Sequence, residues 1–179
     1  MKTIGIIFAM NEELSALKKH LSLQRVNKIY ELIFYESELN NKRIILVESG
    51  VGKVNAGRTT QILIDNYHPD TIYNIGAAGG IDESLAVGDV VISTSLVQHD
   101  FDITAFDHKK GYIPNIGDVI PVDNSLVINT QRILEQKKLS YKLGMIASGD
   151  IFCTSKDMAT KINQKFHALC VEMEGAAIG

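Results

Sequence analysis

Short apolar runs alternate with amphipathic segments along the chain, and this alternation narrows the choice of fold more than any other feature. Residues 3–9 are an uninterrupted apolar run of the kind that a parallel sheet buries on both faces. Residues 12–21 follow with leucines at helical spacing. The repeated change of pattern predicts an α/β fold, a three-layer α/β/α sandwich around a central mixed, largely parallel sheet.

The predicted elements follow one another without a linker, an internal repeat or a low-complexity tract, so we expect a single domain over residues 1–179. Strands are predicted at 3–9, 30–39, 42–48, 71–75, 89–93, 142–147 and 168–172, and helices at 12–21, 53–66, 125–138 and 155–163. Two of these strands are predicted to form a hairpin around Asn40 and Asn41, a pair that suits a tight turn.

Composition excludes several classes of protein. The net charge of −3 gives no electrostatic footprint for nucleic acid, and no apolar run is long enough to span a membrane. The two cysteines, Cys153 and Cys170, have neither the number of a disulfide framework nor the spacing of a metal site. We therefore expect a cytoplasmic protein with reduced thiols that binds neither nucleic acid nor a membrane.

Two carboxylates stand at the end of the last predicted strand, in Val-Glu-Met-Glu at 171–174. Strand alternation places Glu172 and Glu174 on one face, at the carboxyl end of the sheet where α/β proteins gather ligands. A carboxylate there can accept hydrogen bonds from two neighbouring hydroxyls, as on a ribose. The alternative is a strand end at which water solvates two acids.

Three loops at predicted strand ends are rich in small residues, at 49–57, 75–80 and 148–153. A strand, a glycine-rich turn and a helix expose backbone N–H groups to an anion or a hydroxyl, although a tight turn needs the same glycines. In the third loop Phe152 could stack on an aromatic base, or it could be an ordinary core residue.

Two further acids, Glu12 and Glu13, open the first predicted helix. Negative charge at a helix N-terminus is stabilised by the helix dipole. This structural role alone can explain the presence of an acid at either position. A functional carboxylate at this place could accept a proton from a water that attacks a sugar carbon. The sequence pattern alone leaves both interpretations open.

A metal site is not expected. His99, Asp100 and Asp102 come from one short segment without a second ligand group at helical spacing, and such residues more often make turn contacts. Cys153 has no identifiable base beside it, so a small buried side chain is preferred to a nucleophile.

Seven motifs occur together in one order. They are Gly-Ile-Ile-x-Ala-Met-x-Glu-Glu at 5–13, Ser-Gly-Val-Gly-Lys-Val-Asn-Ala at 49–56, Gly-Ala-Ala-Gly-Gly at 76–80, Val-Gly-Asp-Val-Val at 87–91, His-Asp-x-Asp-x-Thr-Ala-Phe at 99–106, Ser-Gly-Asp at 148–150 and Val-Glu-Met-Glu at 171–174. This ordered set closely resembles the 5′-methylthioadenosine/S-adenosylhomocysteine nucleosidases of the purine nucleoside phosphorylase-like superfamily. The resemblance covers essentially the whole chain.

The resemblance implies hydrolysis of an N-glycosidic bond that releases adenine from a 5′-thio-substituted ribose, without a cofactor or a metal. Glu13 matches the carboxylate that positions and deprotonates the attacking water. Substrate contacts are implied for Val51 near the alkylthio group, Ala77 and Gly79 beside sugar and base, Phe152 and the Cys153 backbone at adenine, and Met173 and Glu174 at the ribose hydroxyls. Phe106 matches a residue that inserts into the partner subunit's site, which implies a homodimer.

The chain departs from the family pattern in places. Phe8 replaces a small residue, Asn11 replaces an acid, and Ala77 stands where a serine is common. Family members continue to a further strand, whose aspartate protonates the purine, and to a final helix. We therefore expect a domain that lacks the final strand and helix, with an exposed sheet edge after Gly179.

Three explanations for the expected lack of the final strand and helix are considered. A fragment or shortened product of an ordinary nucleosidase is favoured. A nucleoside-binding remnant without turnover is the second, and a substitute acid such as Asp150 is the third.

Other reactions of the superfamily are also considered. A phosphorylase needs cationic side chains to hold phosphate, and no arginine marks the first helical turn or the segment before Gly76, where Asn74 stands. Hydrolysis is therefore preferred to phosphorolysis. A futalosine-type hydrolase and a non-enzymatic nucleoside-binding protein stay as alternatives.

Overall fold

A computed structural model describes residues 1–179 as two compact units, one of residues 1–77 with Ile178 and one of residues 78–177 with Gly179. Each unit contains a mixed sheet of five strands. None of the helices has the length and apolar character that a bilayer crossing requires.

The first unit begins with a strand and alternates between the two kinds of element. Its strands are β1 (Lys2–Phe8), β2 (Leu23–Ile29), β3 (Leu32–Leu39), β4 (Lys42–Glu48) and β5 (Thr71–Asn74), and its helices are α1 (Asn11–Lys18) and α2 (Lys53–Tyr67). The sheet order is β2-β3-β4-β1-β5, with β1 parallel to both of its neighbours and β3 antiparallel to both of its own. Asn40 and Asn41 have φ of 50° and 57°, as the two-residue hairpin turn between β3 and β4 requires.

Alternation along β1 explains why this sheet has an apolar layer on each face. Ile7 packs in a cluster with Leu63 of α2, whereas Phe8 packs in a second cluster with Leu14 of α1. Side chains of this size contribute about 1.5–3 kcal/mol each when they are fully buried. Neighbouring residues of one strand therefore fix one helix on each side of the first sheet.

The second unit follows the same plan. Its strands are β6 (Gly79–Gly80), β7 (Val90–Gln98), β8 (Ile120–Pro121), β9 (Tyr141–Ser148) and β10 (Ala168–Glu172). It also contains a 3₁₀ turn (Thr104–Phe106), the helices α3 (Asn124–Gln136) and α4 (Lys156–Phe166), and residues 175–177 of helix α5 (Gly175–Ile178). The sheet order is β6-β10-β9-β7-β8; the three central strands are parallel and the two edge strands are antiparallel. Val97 of β7 packs with Ile162 of α4, and the adjacent Leu96 packs with Ala176 of α5.

The predicted α/β class with mixed, largely parallel strands is confirmed. The strands are hydrogen-bonded as two sheets of five, one in each unit, where one central sheet was expected from the sequence. Hydrophobic alternation identifies which segments are strands, but it does not determine which strands pair, because pairing depends on contacts distant in sequence.

Candidate active site

In the first unit three parallel strands end at the same edge of the sheet. The register pairs Phe8 with Glu48 and Ile7 with Asn74, so β1, β4 and β5 finish side by side. Three of the predicted site residues follow these strands: Glu13 in the first turn of α1 after β1, Val51 in the loop after β4 and Ala77 in the loop after β5.

The Glu13 carboxylate is held by three backbone N–H groups. Ala77 donates to Oε1 over 2.8 Å, and Ala9 and Met10 donate to Oε2 over 3.1 and 3.2 Å. The bond from Met10 closes the first turn of α1, so the structural role suggested by the helix start is present. The bond from Ala77 ties the same carboxylate to the loop after β5. A carboxylate can accept about four hydrogen bonds, and three of these are made here. The remaining acceptor site is on Oε1, where a further donor such as water can bind.

The Glu13 carboxylate also depends on a missing side chain at Gly76. A Cβ built on Gly76 would lie 2.7 Å from Oε1 and 3.0 Å from Cδ of Glu13. Only glycine leaves the carboxylate this close to the main chain. The sequence analysis placed Gly76 in a small-residue loop but did not identify this contact.

The loop after β4 places Val51 between two glycines with left-handed backbone. Gly50 has φ of 81° and Gly52 has φ of 100°, which glycine alone adopts without strain. The Asn55 side chain donates to the Val51 carbonyl over 2.7 Å, and the Val51 side chain is 47% exposed. The glycines are therefore required by the turn, and the turn presents Val51 at the surface of the first unit.

A second set of strand ends lies in the second unit. The register pairs Ser148 of β9 with both Gln98 of β7 and Glu172 of β10. The two residues after β10 are Met173, which is half-buried, and Glu174, which is buried at 6% exposure. The Met173 N–H donates to Glu174 Oε2 over 3.2 Å. Glu174 thus stands at the junction between β10 and α5.

The Glu172 carboxylate makes contacts that the sequence analysis missed. Its Oε2 accepts the N–H groups of Glu174 and Gly175 over 2.9 and 2.7 Å, and its Oε1 accepts the hydroxyl of Ser148. Ser148 Oγ in turn accepts the N–H of Ala176 over 2.8 Å. Glu172 therefore binds the start of α5, and it does not form a solvated pair with Glu174. The sequence does contain a signal for this role, because an acidic residue just before a helix can accept hydrogen bonds from the first N–H groups of that helix. Glu172 stands two and three residues before the two N–H groups that it binds.

Gly79 and Cys153 lie close to β10 in the second unit. Gly79 pairs with Val171 across β6 and β10, and Cys153 packs against the apolar cluster that contains Val171. Both line an open cavity of about 810 Å³. Most of the other lining residues are polar, among them Asp82, Glu83, Ser84, Thr154, Lys156 and Asn163.

The two predicted aromatic contacts are exposed. Phe152 has 76% of its surface exposed, so its alternative interpretation as a core residue is wrong. Phe106 ends the 3₁₀ turn at 75% exposure. Neither ring is used to build the interior of the second unit.

The acidic segment after β7 makes turn contacts. Asp102 Oδ1 accepts the N–H and the hydroxyl of Thr104, and the hydroxyl contact is the main reason that the pKa of Asp102 lies below its usual value. Asp100 accepts the N–H of Asp150 over 2.8 Å. No group of three or more His, Cys, Asp or Glu side chains in residues 1–179 is arranged to hold a metal ion.

Burial sets the chemistry of one thiol. Cys170 of β10 is 2% exposed, and desolvation, with a smaller contribution from the nearby Glu172 charge, raises its pKa to about 11. At neutral pH it is therefore a protonated and unreactive thiol.

The comparison with known proteins decides the family. The model of the phosphorylase superfamily matches residues 3–179. The chain belongs to this superfamily. Within it, the 5′-methylthioadenosine/S-adenosylhomocysteine nucleosidase of Staphylococcus epidermidis is 42% identical over 176 residues, which are 98% of this chain and 77% of the relative. Identity of this degree and coverage places the chain in the nucleosidase family.

Solved structures of the superfamily have the same fold. The S-adenosylhomocysteine nucleosidase of Streptococcus pyogenes, in complex with 5-methylthiotubericidin, superposes with a TM-score of 0.94 at 38% identity, covering 99% of this chain and 75% of that one. The native futalosine hydrolase of Helicobacter pylori superposes with a TM-score of 0.96 at 32% identity, covering 99% and 76%. Nucleosidases and a futalosine hydrolase thus share this architecture.

Proposed function

We propose that this member of the nucleosidase family hydrolyses the N-glycosidic bond of 5′-methylthioadenosine and S-adenosylhomocysteine, releasing adenine and the 5-thio-substituted ribose. The observation that carries the proposal is the Glu13 carboxylate, fixed by three main-chain donors with one lone-pair site open on Oε1. The chain is also 42% identical to the 5′-methylthioadenosine/S-adenosylhomocysteine nucleosidase of Staphylococcus epidermidis.

The proposed reaction begins with a water molecule bound at Oε1 of Glu13. As the bond from the anomeric carbon to the adenine nitrogen lengthens, the sugar gains oxocarbenium character, and the water oxygen forms the new bond to that carbon. Glu13 accepts the proton that the water loses and afterwards returns it to solvent, while adenine leaves with the bonding electron pair and takes up a proton from solvent. A carboxylate held by the main chain does not have to reorganise during this step, which favours the transition state.

Seven residues are proposed to hold the substrate. Glu174 and Met173 bind the ribose hydroxyls, Phe152 and the Cys153 backbone bind adenine, Ala77 and Gly79 lie beside the sugar and base, and Val51 contacts the alkylthio group. Two structural facts support this assignment. Glu174 lies at a strand-to-helix junction on the carboxyl side of a parallel strand, and Phe152 has an exposed ring.

The test of the proposal compares two neighbouring acids. We expect Glu13→Gln to reduce kcat for adenine release by about 10²–10⁴-fold, since it removes the general base. Glu12→Gln is the matched control, because Glu12 is an exposed residue of the same helical turn, and we expect its kcat within a factor of about two, as for most surface substitutions. Adenine release is measured in phosphate-free buffer.

Three outcomes of this experiment separate the alternatives. Equal loss in both variants would contradict the role of Glu13. Binding of 5′-methylthioadenosine without any adenine release would indicate a nucleoside-binding protein. A higher kcat/KM for futalosine than for 5′-methylthioadenosine would instead favour a futalosine hydrolase, a second candidate because the Helicobacter pylori enzyme has the same fold, with a TM-score of 0.96.

We also propose a cytoplasmic homodimer in which Phe106 completes the partner's site. The two free cysteines agree with a reducing compartment. The exposed Phe106 ring agrees with a contact outside its own chain.

Mixing two inactive variants tests the dimer. Phe106→Ala and Glu13→Gln are expected to complement each other, because a mixed dimer contains one site with both wild-type residues. Random exchange of subunits should restore activity to about a quarter of the wild-type value, as two-fold symmetry predicts. No recovery after exchange, or a monomer in light scattering, would contradict the proposal.

A further inference from the structure

We infer that Glu172 is a positioning residue, which fixes the turn that carries Glu174 and so sets the affinity of the chain for ribose hydroxyls. The inference rests on the proposed function, in which Glu174 binds those hydroxyls. Glu172 itself does not touch the substrate in this scheme, and it acts only through the main chain of the turn.

Glu172 holds the turn by direct contacts with the residues that form it. The Glu174 and Gly175 N–H groups both donate to Oε2 of Glu172, over 2.9 and 2.7 Å. The first of these donors belongs to Glu174 itself, so the position of the Glu174 backbone depends on the Glu172 carboxylate. Hydrogen bonds to a charged acceptor are roughly twice as strong as those between neutral groups.

Ser148 fixes the other oxygen of Glu172. Its hydroxyl donates to Oε1, and its Oγ accepts the N–H of Ala176 over 2.8 Å. Ser148 is fully buried at the end of β9. Glu172 and Ser148 therefore form a clamp, in which one carboxylate and one hydroxyl join β9, β10 and the first turn of α5.

The fit of the clamp is tight at Gly175. A Cβ built on Gly175 would lie 3.2 Å from Glu172 Oε1 and 3.2 Å from Leu96 Cδ2. The carboxylate thus fills the space between the turn and the sheet. Glu174 is 6% exposed, so its side chain has little freedom to compensate when the backbone under it moves.

The test uses Glu172→Ala, Glu172→Gln and Ser148→Ala in the full chain. Glutamine keeps one oxygen for the two N–H donors but presents an amide group to Ser148, so it should restore part of what alanine loses. Asp123→Asn and Ser125→Ala are the matched controls. They change a carboxylate and its hydroxyl donor at the start of α3, where Asp123 Oδ1 accepts from Ser125 N and Oγ over 2.8 and 2.6 Å.

The decisive readout is selectivity for ribose hydroxyls. We expect Glu172→Ala to lower kcat/KM for 5′-methylthioadenosine by about 10–100-fold, which corresponds to losing one charged hydrogen bond, mainly through KM. With the 2′,3′-dideoxy analogue, which lacks the groups that Glu174 binds, the same variant should lose less than about threefold, since that contact is already absent. Glu172→Gln should lie between wild type and Glu172→Ala, and both controls should match wild type on both substrates.

The outcomes distinguish this inference from the proposed function. If the unchanged chain neither binds nor cleaves 5′-methylthioadenosine, the proposed function fails and the inference fails with it. If the unchanged chain is active but Glu172→Ala and Ser148→Ala lose the same factor on both substrates, Glu172 serves folding alone and the inference is overturned. Thermal unfolding of each variant, followed by circular dichroism, measures that folding contribution separately.

Discussion

Glu13 has two tasks at one position. Its carboxylate closes the first turn of α1 through Met10 and receives the N–H of Ala77 from a loop 64 residues away in sequence. The second contact distinguishes Glu13 from the adjacent Glu12, although both acids stand in the same helical turn. Removal of the carboxylate therefore affects both the helix start and the proposed general base.

Gly76 offers a way to displace the Glu13 carboxylate without changing its chemistry. A methyl group in Gly76→Ala would lie 2.7 Å from Oε1, which forces the flexible end of Glu13 to move. Displacement of a catalytic group by about 1 Å can reduce the rate by about 10²-fold, so we expect kcat to fall by about 10–100-fold. Stability should change by less than about 1 kcal/mol, because only a side-chain end gives way.

The control for this prediction is Gly80→Ala. A Cβ at Gly80 would meet Leu85 at 3.5 Å, which is an ordinary contact, so the rate should stay near that of wild type. A Gly76→Ala enzyme with wild-type kcat would show that the position of Glu13 does not limit the reaction.

Several residues of the candidate site were predictable from sequence and others were not. Glu13 and Glu174 were identified because they belong to ordered motifs at strand ends. The roles of Gly76 and Glu172 were missed, because they come from contacts in three dimensions: a Cβ that would collide and an acceptor for two N–H groups. Pattern and spacing carry no information about such distances.

At the level of elements, a polar network joins β2, β3, β4 and α2. Glu36 is 7% exposed and accepts two bonds from Arg43 over 2.7 and 3.1 Å and one from Asn27 over 2.6 Å. The Arg43 guanidinium also lies 5.3 Å from the centre of the Tyr67 ring. A buried carboxylate with this many partners becomes costly when its cation is removed.

We therefore expect Arg43→Ala to lower the free energy of unfolding by about 1–3 kcal/mol, less than for a fully buried pair because the Arg43 side chain is 34% exposed. Arg58→Ala is the control. It breaks a pair with Glu31 whose side chains are 42% and 63% exposed, so its loss should stay below about 1 kcal/mol. Urea unfolding measures both values, and equal losses would contradict the prediction.

The elements themselves were predicted unevenly. Strand β1 and helix α2 were predicted close to their observed bounds, and β1 was found because it is an uninterrupted apolar run. Strand β2 was missed because most of its residues are exposed, and it is a strand through its pairing with β3. Strand β7 was predicted too short, since a register shift between Ser93 and Ser95 interrupts its alternation.

For the whole molecule, the buried Cys170 thiol predicts a loss of stability in alkali. Its pKa is raised to about 11, while an unfolded chain releases the proton near the ordinary value of 9.0. The stabilising contribution is therefore fully present below pH 9 and is lost as the pH rises through about 11. A shift of this size corresponds to roughly 2–3 kcal/mol.

Urea unfolding of wild type and Cys170→Ala between pH 8 and pH 11 checks this prediction. The variant removes the titrating group, so its stability should decline less steeply with pH. Tyr67, whose pKa is raised mainly by burial, titrates in both proteins and cancels in the comparison. Parallel pH curves for the two proteins would contradict the assignment to Cys170.

The three donors to Glu13 belong to the main chain, and this has a consequence for sequence drift. Substitutions at positions 9, 10 and 77 change side chains but leave the N–H groups in place, as long as proline is avoided. A serine-to-alanine exchange at position 77 therefore leaves the hold on Glu13 intact. The side chains around Glu13 can therefore differ between related chains while the carboxylate of the proposed general base stays in the same place.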